Sequence, residues 1–232
     1  TYDRQHLKFI NVPVLKSHHA TYGATASVKH FMGVVTGNLS TNSHNAIAHG
    51  ILGAVMGEVQ IPDLNIIDCI WINANPNSGP QTTYAGATRR DELVASRDPV
   101  AADIWSVKNI LIPGFLASGY TPPWPSPSAD PDLPTSAFRT YLDNSMNRIL
   151  AAGYSVTNNL SKIDVLSTFT GDMNCDGAIT PADVEAFVLA LLDPAAYHAA
   201  YPACLIATAD CNADAVVNGL DIQSFVKLLL QP

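Results

Sequence analysis

Asp172-Met-Asn174-Cys-Asp176-Gly177-Ala178-Ile-Thr180-Pro-Ala-Asp183 returns, 38 residues later, as Asp210-Cys-Asn212-Ala-Asp214-Ala215-Val216-Val-Asn218-Gly-Leu-Asp221. Both copies carry an oxygen-bearing side chain at loop positions 1, 3, 5, 9 and 12, the spacing by which a twelve-residue loop wraps a calcium ion. Position 7 would add a main-chain carbonyl, from Ala178 and Val216. Position 8 is apolar in both (Ile179, Val217), as back-to-back pairing of two loops requires. The pattern therefore predicts two Ca²⁺ sites, one from Asp172, Asn174, Asp176, Ala178, Thr180 and Asp183, the other from Asp210, Asn212, Asp214, Val216, Asn218 and Asp221.

The segment after each loop repeats as well. Val184, Phe187, Val188 and Leu191 fall at i, i+3, i+4 and i+7, one apolar face of a helix. Shifted by the same interval they become Ile222, Phe225, Val226 and Leu229. Thr180, Pro181 and Asp183 read as a helix start, with Pro in the first turn. Matching donors and matching core positions in two copies are the signature of an internal repeat rather than of two unrelated acidic turns.

Residues 171 to 232 thus resemble the dockerin fold, a duplicated loop–helix calcium module, in its planctomycete-type variant. The resemblance implies a small all-α unit with paired EF-hand-type loops, and Asp at position 12 is usual for dockerins. Ala215 departs from the Gly expected at position 6, where a sharp turn favours Gly, which predicts a weaker second loop. Positions 10 and 11, often Ser or Thr in dockerins that read a cohesin partner, are Pro181-Ala182 and Gly219-Leu220. Calcium binding carries over; cohesin binding does not.

Composition sets the outer limits. The chain has 232 residues, 47% hydrophobic and 14% charged, with a formal charge of −8. That suits a folded core plus a small module rather than a disordered chain. No clustered basic run points to nucleic acid, and no apolar run approaches the length of a membrane helix. The first residue is not Met, and the opening reads as a processed or truncated start. Three of the four cysteines (Cys175, Cys204, Cys211) lie in the repeat region; a disulfide is expected there, Cys175–Cys204 first and Cys204–Cys211 second. Cys69, in an apolar segment, reads as a buried thiol. Calcium loops with a disulfide point to an extracellular or cell-surface protein.

Ahead of the repeat, residues 1 to 167 alternate strand and helix signals. Leu7–Val14 reads as a strand, Ala26–Gly33 as a short helix, and Asn42 to about Val59 as a helix with His49, Leu52, Val55 and Met56 on one face. Leu64–Ile72 reads as a strand buried on both faces and Glu92–Ser96 as a short strand. A helix runs from Asp98-Pro99 to about Ile110, another from Ala137 to Ala152, and Ile163–Leu166 is strand-like. The Pro-rich stretch 113–135 around Trp124 reads as a loop over this domain, and the hinge falls near 167–171. The sum is an α/β domain with a mostly parallel sheet. The order Asn11–His18, Val28–Gly33, Ile67-Asp68, Gly79-Pro80 and Ala95–Asp103 is similar to the C-terminal two-thirds of domain of unknown function family 362, without the ferredoxin-type cysteines that many members carry. That resemblance implies a fold and little chemistry.

Lys16, His18, Lys29, Asp98 and Asp103 are the candidate catalytic residues, with His44 and Asp68 also interrupting apolar segments. If they converge outside the carboxyl ends of the strands, they could hold an anion or metal, or shuttle protons. The alternative assigns them separate roles: Asp98 as a helix cap, Asp68 paired with Lys29 in the core, His49 packed on a helix. No Gly-x-Ser-x-Gly or Gly-rich phosphate loop is present. Three functions follow as expectations. In the first, a calcium module attaches or assembles an α/β domain through a protein partner or self-association. In the second, an extracellular enzyme, metal-dependent or acid–base, is tethered by that module; in the third, the chain is a calcium-stabilised filament or surface-layer subunit.

Overall fold

The computed structural model describes residues 6–18, 22–33, 46–76, 86–122, 127–165 and 169–230. His44, Gly79-Pro80, Trp124, Leu166 and Ser167 lie outside them. The chain divides into two compact units, Thr1–Ile163 and Asp164–Pro232.

The first unit is built on a mixed sheet. Val12-Pro13 interrupts the expected first strand, because Pro supplies no N–H to the ladder. What remains is β1 (Ile10–Asn11) and β2 (Val14–Ser17), both parallel to the central strand β4 (Leu64–Asn73). The short β3 (Ala24–Thr25) and β5 (Ala87–Ser96) are antiparallel to β2 and β4. An α/β domain is therefore present.

Two strand readings need correcting. In β4, Asn65, Ile67, Cys69 and Ile72 are buried while Ile70 and Trp71 are exposed, so one face is covered and not both. β5 is twice the expected length: its first half, Ala-Thr-Arg-Arg-Asp, lacks an apolar signal yet pairs with Trp71–Asn73 beyond a bulge, where Asp91 takes φ 54°.

The covered face packs under helices. These are α1 (Ser27–His30), α2 (Ile51–Glu58), α3 (Pro99–Ser106), α4 (Ile112–Ala117) and α5 (Ala137–Ala151). Leu15, Ile67, Val28, Leu52, Ile104, Phe115 and Phe138 belong to one core. Gly50 ends the turn before α2 at φ +78°, and a side chain there or on Gly53 would collide with the Asn144–Ser145 backbone of α5. His49 is exposed, not packed.

The helix expected to stop near Ile110 runs on through a π-turn, Val107–Leu111, into α4. The wider turn admits Pro113, which sits in the first turn of α4 where a missing N–H costs little. Pro99–Ala117 is, against expectation, long and apolar enough to cross a membrane, but 61% of it is buried in this core. Ile163–Val165 form no strand; they follow a 3₁₀ turn at Leu160–Lys162.

The second unit contains α6 (Asp183–Leu192), α7 (Pro194–Ala200) and α8 (Ile222–Leu229). Phe187 and Phe225, equivalent under the repeat, stack face to face with centroids 3.9 Å apart. Met173, Tyr197 and Ala209 complete that core. Cys175 and Cys204 form the disulfide, and Cys211 is free.

Candidate functional site

In each repeat the loop is folded by its own carboxylates. The Asp176 and Gly177 N–H groups donate to Asp172 at 3.2 and 3.0 Å; the Asp214 and Ala215 N–H groups donate to Asp210 at 3.1 and 2.8 Å. Asp176 and Asp214 each accept from the N–H two residues on, at 2.9 Å in both loops. The position-12 carboxylates close the circle. Asp183 accepts from Met173, Asn174 and Thr180, and Asp221 from Asn212 and Asn218.

Even the strained backbone repeats. Position 4 is left-handed in both copies (Cys175 φ 57°, Ala213 φ 61°), and so is position 6 (Gly177 φ 87°, Ala215 φ 67°). A Cβ makes that region costly for Ala and free for Gly.

The donor set is all oxygen, the chemistry that a hard cation such as calcium takes. Three carboxylates per loop repel one another. The Asp172 carboxyl is raised above its usual range, chiefly by burial, with Asp183 and Asp176 adding to the rise and N–H donation from Gly177 and Asp176 opposing it. Among the described residues no three His, Cys, Asp or Glu side chains are gathered into an ion cluster. The fit to a cation therefore rests on the mixed carboxylate, amide, hydroxyl and carbonyl set and on its duplication.

In the first unit the five candidates separate. Lys16 lies near the end of β2 and His18 directly follows the strand, and Lys29 stands on α1. The Lys29 ammonium lies 3.4 Å from His18 Nε2 and 5.0 Å from the centre of the Tyr22 ring. Burial, and then the charge of Lys16, lower the Lys29 ammonium to about 8. Neighbouring His30 is lowered for the same two reasons.

His30 Nδ1 meets Asn11 Oδ1 at 2.6 Å. Asn11 spends its amide N–H groups on the Ser27 carbonyl and Asn65 Oδ1, so its own Oδ1 must accept. His30 therefore carries its proton on Nδ1.

Asp98 is elsewhere. It caps α3 through the Val100 and Ala101 N–H groups, accepts from the Thr157 N–H, and borders an open hollow of about 430 Å³ with Asp63, Arg97 and Tyr154. Asp103, fully buried, accepts from the Ser27 and Val28 N–H groups at 2.6 and 3.0 Å, which fixes the start of α1 beneath Lys29. Burial outweighs those bonds and pushes its carboxyl up to about 7.

Asp68 does not pair with Lys29; it accepts from the Ile70 N–H. Sequence reading missed Tyr22, His30 and Asn11, which no spacing ties to Lys29. The burial of Lys29 inside a short helix was the only signal that could have found them.

Neither curated proteins nor solved structures give a match to this chain. Residues 5–108, within the first unit, match the family model described as Domain of unknown function (DUF362), so that segment is similar to this family.

Proposed function

We propose that residues 171 to 232 form a dockerin-like module that binds two calcium ions and attaches or assembles the α/β domain outside the cell. The observation that carries this is the identity of the two loops under a 38-residue shift: the same carboxylate-to-backbone bonds at positions 1, 5 and 12 and the same left-handed residues at positions 4 and 6. Two acidic turns with unrelated roles have no reason to share them.

The surface supports a partner. Val184, Val188 and Leu192 on α6, and their equivalents Ile222, Val226 and Leu230, are all more than 40% exposed, so the helix stripe reads only partly as core. Phe187 and Phe225 turn inward; the flanking residues form a duplicated apolar strip outside, as interaction surfaces do. The dispersal of Asp98 and Asp103 from Lys16, His18 and Lys29 favours attachment over the acid–base enzyme.

The test is thermal unfolding of the chain with and without calcium. A ligand at a hundredfold excess over Kd stabilises the folded state by about 2.7 kcal/mol. Asp176→Ala should remove much of the calcium-dependent rise in melting temperature. An unchanged rise would rule out the first loop as a site.

A further inference from the structure

Lys29 presents an unbalanced charge. The residue is only 5% exposed, and lysine is almost never buried that deeply unless paired. No carboxylate among the described residues lies within ion-pair distance of Lys29 or Lys16; the Lys, Arg and Asp/Glu pairs there are Lys8–Asp63, Arg89–Asp91, Arg90–Glu92, Lys108–Asp132 and Arg139–Asp143. Of the 20 acidic residues in the sequence, only Asp3 lies outside the described residues.

Among the described residues the partners of Lys29 are an imidazole nitrogen and an aromatic ring, neither of them an anion. Lys16 adds a second positive charge close enough to depress both Lys29 and His30. Asp103, the buried acid of the first unit among the described residues, is committed to the backbone at the start of α1. A buried ammonium without a counter-ion is costly in a protein interior, the more so beside a second positive charge, and an anion bound at Lys29 offsets that cost.

We propose that Lys16, His18 and Lys29 form a binding site for a small oxyanion, a phosphate or phosphomonoester group, at the carboxyl end of β2. The location fits. β2 runs parallel to β4, and ligands of open α/β sheets lie outside the carboxyl ends of such strands. Lysine ammonium groups bind phosphate as point charges with three donors each. Lys29 supplies the buried charge, while Lys16 and His18, both half-exposed, border the approach to it. Asp103, through α1, positions Lys29.

The experiment is calorimetry on the full chain at constant ionic strength, with inorganic phosphate, sulfate and glycerol phosphate as probes, repeated on Lys29→Met and Lys16→Met. At least one probe should bind the natural chain and weaken tenfold or more in each variant. Lys29→Met should also melt at a higher temperature without any anion, because it removes the unpaired buried charge. Binding of glycerol phosphate alone would identify a phosphomonoester as the source of the group, and binding of inorganic phosphate would show that the free ion suffices. Indifference of the natural chain to all three probes, or undiminished binding in both variants, would overturn the proposal. Lys16→Met, at a half-exposed position, keeps the test decisive if Lys29→Met fails to fold.

Discussion

The two units of this chain carry their polar groups in opposite ways. In the second, every oxygen of the proposed calcium set of a loop lies within twelve consecutive residues, and the carboxylates are satisfied by N–H groups two to ten residues away. In the first, Lys29 meets His18 across eleven residues and Asp103 reaches Ser27 across seventy-six. A site made from one stretch of chain is written in spacing. One assembled by the fold is not.

The largest break in that comparison should come from Asp183→Ala. Asp183 is fully buried and accepts three N–H groups; leaving them without an acceptor should destabilise the second unit by on the order of 4 kcal/mol. Denaturant unfolding would measure this, and a loss under 1 kcal/mol would mean that the loop does not depend on its twelfth position. Cys204→Ser comes next. It opens the link to Cys175 across 29 residues and should cost about 3 kcal/mol, read in the same way with and without reductant.

The third prediction concerns the first unit and is one of sign. The Asp103 carboxyl is raised from 3.8 to about 7 by burial, so over that range the folded chain keeps a proton that the unfolded chain has lost. Stability should therefore fall as pH rises from about 4 to about 7, with no further change from this group above that. Asp98, also raised chiefly by burial, acts in the same direction. Asp103→Asn should flatten the slope, and an unchanged slope would assign it to other groups.

The smallest effect sharpens the contrast between the two loops themselves. Ala215 takes φ 67° where Gly177 takes φ 87°. Ala215→Gly should stabilise the second loop by about 1 kcal/mol and bring its calcium affinity towards that of the first. A destabilised variant would show that the left-handed turn is not what separates them.

How far the sequence could be read follows from the same locality. The repeat and the Asp98 cap are legible, resting on spacing or on a side chain bonded to its own neighbours; the Cys175–Cys204 bridge, the first of two expected pairings, rests on a small unit's need of a staple. The strip of Val184, Val188, Ile222 and Val226 was misread as core, because i, i+3, i+4 spacing shows that a face is apolar and not what covers it. The first half of β5 is not legible because Arg89, Arg90 and Asp91 give no apolar alternation, and it is the pairing of Ala87, Thr88 and Arg89 with β4 that sets the register beyond the bulge. The run through Pro113 was missed because a π-turn leaves no mark in composition. The alternative that pairs Lys29 with Asp68 fails because Asp68, on β4, accepts from the Ile70 N–H and makes no ion pair with Lys29.

The central claim is that the duplicated loops bind calcium, and calorimetry tests it most directly. Calcium is titrated into chelator-treated chain, then zinc and manganese separately. The account predicts two calcium sites, the weaker one abolished by Asp214→Ala and the stronger by Asp176→Ala. No calcium binding, or a transition-metal site that survives both substitutions in place of the calcium sites, would contradict it.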